Sequence, residues 1–194
     1  AASYSFKIFG GTANISGGTF DSNGSGAFIM GTSSGSWGTA NISGGSFSVI
    51  GQAGISVYEY GALTVSGNTV VSGDAAGLVI ESSDNPCTVT IDDGTFTGTR
   101  KSNGDGIWCG STNVTLTVSG GTFTGQSRSG LYFNSDENNG DDSPVSLSGG
   151  TFHVNTWNTD WWANTGAIGN AGTNIIASGH SASASFDSQT VTIY

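Results

Sequence analysis

Residues 114–123, VTLTVSGGTF, form a phrase that the chain writes six times. It returns as TANISGGTF at 12–20, TANISGGSF at 39–47, LTVSGNTV at 63–70, TVTIDDGTF at 88–96 and VSLSGGTF at 145–152. Aligned on the last apolar residue, the copies end at Phe20, Phe47, Val70, Phe96, Phe123 and Phe152, 23 to 29 residues apart. A unit this short cannot bury its own apolar face, so six of them must stack on one another as a solenoid.

Within each copy the residues alternate. Ala13/Ile15, Ala40/Ile42, Leu63/Val65, Val89/Ile91, Leu116/Val118 and Val145/Leu147 fall on one side, with Thr, Asn and Ser between them. That period of two is a β-strand with one buried face. Gly-Gly makes a corner, a short Thr-Phe-Thr segment follows, and after a loop a glycine opens a third segment. There Ala27, Ile55, Leu78, Ile107, Leu131 and Ala167 form one inward column, and Ile29, Val57, Ile80, Cys109, Phe133 and Gly169 a second. Three strands per turn without partner hairpins predict an all-β chain, a single-stranded parallel β-helix. Right-handedness is expected, as for nearly all parallel crossovers. About six turns at ~4.8 Å give a core roughly 29 Å long. Residues 1–194 read as one domain, with an N-terminal cap over 1–10, repeat turns over 11–174 and a C-terminal cap over 175–194 that closes on Val191, Ile193 and Tyr194.

Composition narrows the partners. With 33 Gly and few charges the chain could pass for disordered, but disorder needs no register and this chain keeps one. Net charge is −10 with four Lys plus Arg, which disfavours nucleic acid and anionic membrane. No apolar run reaches the length of a membrane span. The opening Ala1-Ala2-Ser3 carries no basic, apolar leader, which fits a secreted chain after signal removal and a trimmed chain equally. Cys87 and Cys109 stand where other turns place apolar residues, as buried thiols or as a disulfide across a corner.

The Ser-Gly-Gly-Thr-Phe phrases, and Asn103-Gly-Asp-Gly-Ile107 followed by a further repeat, resemble the β-helix surface proteins of Gram-positive bacteria. The resemblance covers nearly all of residues 8–170. It implies a secreted or cell-surface protein; some proteins of that kind bind plant cell-wall polysaccharide, and relatives can bind calcium and acidic polysaccharide.

A regular solenoid places function where it breaks its own rule. Loops 97–105, 134–143 and 153–165 exceed their counterparts. Trp108 and Tyr132 fall on the outward side of adjacent third segments, and Trp157, Trp161 and Trp162 sit on the longest loop. Such rings supply stacking platforms for a polysaccharide or glycan, with Asp105 and Asp160 as hydroxyl acceptors. The same rings would suit a protein contact or self-association through the Trp loop, or a satellite core. Asp136, Asp141 and Asp142 flank Gly140 and offer hard oxygens to Ca2+, or form a solvated acidic loop.

Two other classes stay open. Thr12, Asn14, Thr39, Asn41, Thr64, Thr88, Thr90, Thr115 and Thr117 make an outward lattice on the first segments, a candidate ice-binding face. Asp141-Asp142, Asn158-Thr-Asp160 and Gly179-His180 resemble motifs of pectin-cleaving hydrolases, but in the wrong order and on loops. A polysaccharide lyase would need a basic cluster, and Arg100-Lys101 is the only adjacent pair. His153 and His180 read as surface or cap residues.

Overall fold

The computed structural model describes residues 4–110, 113–133, 145–154, 175–185 and 189–194. Among these residues there is no helix, and the strands stack as the parallel coils of a β-solenoid of about five turns. The first turn is β2 (Gly11–Ile15), β3 (Thr19–Ser22) and β4 (Ser25–Met30). In the next two turns the first two segments fuse: β5 (Gly38–Val49) precedes β6 (Ile55–Val57), and β7 (Gly61–Gly73) precedes β8 (Ala76–Ile80). The fourth turn is β9 (Cys87–Ile91), β10 (Thr95–Gly98) and β11 (Asp105–Cys109). The fifth is β12 (Val114–Val118), β13 (Thr122–Gly125) and β14 (Ser129–Phe133). A sixth turn begins with β15 (Val145–Leu147) and β16 (Gly150–Val154). Its third segment, with Ala167 and Gly169, lies outside the described residues.

Third segments and an opening strand build a six-stranded parallel sheet, and first and second segments, with two C-terminal strands, a twelve-stranded one. The expected inward columns are the core. Ala40, Leu63, Val89, Leu116 and Val145 stack in register and are buried, as are Ile42, Val65, Ile91, Val118 and Leu147. Ala27, Ile55, Leu78, Ile107 and Leu131 close the core from the opposite sheet. Both cysteines are buried and neither forms a disulfide: Cys87 stacks on Val114 and Cys109 on Ile80.

One expected alignment shifts by a residue. Phe47 pairs with Val71 rather than Val70, and Val71 is buried while Val70 is 46% exposed. The cause is a bulge: the register slips between Ile42 and Gly44, and β7 accommodates the extra residue around Gly67 at φ +60°. A one-residue insertion turns every later side chain over, so the inward valine is the second of the pair. Phe20 and Phe47 therefore stack at 4.7 Å, Val71 interrupts, and Phe96, Phe123 and Phe152 stack at 5.4 and 4.8 Å.

The glycine that opens each third segment is required by closeness. A Cβ on Gly106 would lie 2.4 Å from the Gly130 carbonyl oxygen, so any larger residue would force the rungs apart.

The ends differ from a simple cover. Strand β1 (Tyr4–Phe9) runs parallel to β4 and extends only the six-stranded sheet, leaving Ile15 and Phe20 half-buried. At the other end β18 (Thr190–Ile193) pairs antiparallel with β16, and β17 (Ala182–Ser185) with β18. Val191 and Ile193 are buried there, and Ile175 is buried beside Leu147.

Candidate functional site

The outward side of the six-stranded sheet carries one column through every strand: Lys7, Phe28, Ser56, Val79, Trp108 and Tyr132. Alternation places each between two inward residues. Large rings stand at both ends of the column and small side chains in its middle. Tyr4, Phe28, Tyr58 and Trp108 thereby bound a groove of about 230 Å³ floored by Ala53, Ser56, Ala75 and Val79. Gln52 and Glu81 supply polar rim groups.

The N-terminal wall is a ring cluster. Phe28 meets Tyr58 stacked at 4.9 Å, Tyr4 edge-on at 5.2 Å and Phe9 at 5.5 Å. The Lys7 ammonium lies 3.9 Å from the Tyr4 centroid and 5.3 Å from those of Phe9 and Phe28. A cation over several ring faces holds them in place. Burial pushes the Tyr58 phenol above its usual range, with the neighbouring Glu81 carboxylate adding to the effect and a Ser56 hydrogen bond opposing it. Tyr58 therefore stays a neutral O–H, a donor and an acceptor at the groove.

Trp108 forms the opposite wall. Its six-membered ring lies over Gly110, where an added Cβ would sit 2.1 Å from the ring. Tyr132 is its register neighbour on β14, as expected, but the Arg128 guanidinium covers it, with Cζ 4.0 Å from the ring centroid. Asp105 is not on the groove wall. It is fully buried at the start of β11, accepting from Arg128 Nε and Nη2 at 2.9 and 2.6 Å and from Ser129 Oγ at 2.9 Å. Its oxygens are committed within the fold, so they cannot serve a ligand hydroxyl. Desolvation raises the Asp105 pKa against the lowering pull of Arg128 and Ser129.

The remaining expected site residues divide in two. Trp157, Trp161, Trp162, Asp160, Asp136, Asp141 and Asp142 lie outside the described residues, and among the described residues no cluster of three or more His, Cys, Asp or Glu could hold a metal. The first-segment lattice is described. Thr12, Thr39, Thr88 and Thr115 share a column that Ala62 interrupts; Asn14, Asn41, Thr64, Thr90 and Thr117 share the next. Asn41 Nδ2 donates to Asn14 Oδ1 at 2.8 Å, and Asn14, Asn41 and Thr64 line a groove of about 210 Å³, so this side is furrowed. Arg100 is likewise occupied, donating through Nη2 to the Gly51 carbonyl at 2.8 Å. His153 on β16 is half-buried against Thr190 Oγ1 at 3.1 Å.

Sequence reasoning missed Tyr4, Phe28, Ser56, Tyr58 and Glu81. The signal was present in the alternation that exposed Trp108 and Tyr132: the middle residue of Ala27-Phe-Ile and Ile55-Ser-Val occupies the same outward place. A scan against protein-family models, a search of curated proteins and a search of solved structures each return no match to this chain.

Proposed function

We propose that the chain is a non-catalytic carbohydrate-binding module, secreted or displayed at a cell surface, that holds a polysaccharide against the aromatic face of its six-stranded sheet. The observation that carries this is the groove between the Tyr4–Phe28–Tyr58 cluster and Trp108. Rings at both ends and small side chains between them suit the flat C–H faces of sugar rings, and Glu81, Gln52 and the Tyr58 hydroxyl suit sugar hydroxyls. The groove is smaller than the about 300–1,000 Å³ pockets that engulf small molecules, which favours a chain lying across the surface.

Affinity electrophoresis through gels carrying neutral and acidic plant and bacterial polysaccharides tests the proposal. Wild type is expected to be retarded by at least one polymer, with Trp108→Ala and Tyr58→Ala each roughly tenfold weaker, the loss of one stacking platform. Migration of wild type unchanged by every polymer would sink the reading.

A further inference from the structure

A second surface, remote from the aromatic groove in kind, lies on the outward side of the second segments. In hydrogen-bonded order these strands are β3, the second half of β5, the second half of β7, β10, β13, β16, β18 and β17. Each contributes two outward positions in register with its neighbours. From β10 onward one column reads Thr95, Thr122, Thr151, Thr192 and Ser183. The other reads Thr97, Thr124, His153, Thr190 and Ser185. Every position in both columns except His153 carries a hydroxyl. Toward the N-terminus Ser46, Ser48 and Ser72 continue the pattern, Val70 is its apolar interruption, and Asp21 on β3 is its only charge.

Descent from a common phrase explains the Thr-x-Thr of the repeats but not the end of the lattice. Strands β18 and β17 belong to no copy of the phrase; β18 runs antiparallel to the coils, and β17, antiparallel to β18, runs in their direction. Their positions on this face are nonetheless Thr190, Thr192, Ser183 and Ser185, while Val191 and Ile193 turn into the core. The absence of charge on the columns from β5 to β17 is equally selective in a chain with 14 Asp plus Glu.

What such a face can bind follows from what it lacks. Within the two columns no Trp, Tyr or Phe ring offers a stacking platform, no ion pair holds a charged partner, and Val70 is the one large apolar side chain; Ile50 and Tyr194, exposed just past the ends of β5 and β18, border the face. It does have hydroxyls that donate and accept, set beside methyl groups, at ~4.8 Å between rungs and ~6.6 Å along each strand. Waters bonded to such an array, and caged about its methyls, repeat with the protein's own period. We infer that the second-segment face binds an ordered water surface, that is, ice. Each contact is weak, and affinity comes from the number made at once on a rigid lattice.

The test uses the 194-residue chain, assayed for thermal hysteresis and for partition into a growing ice front. Three variants are compared: Thr122→Tyr in the middle of the lattice, Thr117→Tyr on the first-segment side, and Trp108→Ala in the aromatic groove. Wild type is expected to show both activities, Thr122→Tyr to lose them, and the other two to keep them. Absence of both from wild type overturns the inference, as does their survival in Thr122→Tyr. Circular dichroism reports folding of each variant; should Thr122→Tyr fail to fold, Thr124→Lys, which sets a charge on the same face, is read in its place. These outcomes are separate from polysaccharide retention, which only Trp108→Ala is expected to weaken.

Discussion

Two buried titratable side chains show how single residues respond to the stack above and below them. Cys87 lies at the start of β9 with its thiol pushed up to about 12 by burial alone. A thiol that stays protonated and covered does not attack disulfides. Native protein at pH 8 is therefore expected to leave Ellman's reagent uncoloured, and both cysteines to react only as urea unfolds the chain; fast labelling of either in buffer would contradict this. Asp105 holds its proton more tightly folded than unfolded. Its contribution to stability is thus complete below the ordinary carboxylate range and is lost as pH rises through the raised value. At neutral pH Arg128 compensates the buried charge. Arg128→Met is expected to cost about 3 kcal/mol at pH 7, the low end for a buried pair because Arg128 is itself 31% exposed. The loss should shrink toward pH 4 as Asp105 protonates, and an equal loss at both pH values in urea titrations would refute the account. The partnership could not be read from the sequence, because Asp105 and Arg128 are 23 residues apart and meet only when one rung lies on the next.

Strands were legible where alternation was unbroken and illegible where it slipped. First and third segments have the expected inward columns because a period of two in a half-buried strand leaves no choice of face. The fusion of first and second segments into β5 and β7, and the bulge at Gly67, needed the neighbouring rung to reveal them. Two valines test the register. Val71→Ala should cost about 2 kcal/mol as a core truncation, while Val70→Thr should stay within about 0.5 kcal/mol. Denaturant midpoints showing the reverse order would restore the alignment ending at Val70. Between Phe96 and Phe152, the ring of Phe123 is stacked on both sides, so Phe123→Ala is expected to cost about 3–5 kcal/mol.

A solenoid has two ends and several faces, and each answers to a different demand. The C-terminal end is closed by β18 on β16 and β17 on β18, which cover an otherwise open strand edge and a stacked phenylalanine. Deleting residues 181–194 is expected to turn a monodisperse protein into one that self-associates through β16, visible by light scattering. A truncated chain that stays monomeric would show that the cap protects nothing. The sequence alone determined that the chain coils and which face of each unbroken strand turns inward, because those depend on local alternation and on glycines at fixed intervals. Only the tertiary structure decided which outward residues share a surface. It set Phe28, Tyr58 and Trp108 around one groove, took Asp105 out of contact with ligand, and joined the threonines of the repeats to those of the closing strands. The physical reason is that an outward side chain is fixed by its own strand only in direction; its neighbours come from rungs more than twenty residues away, placed by the backbone ladder between turns.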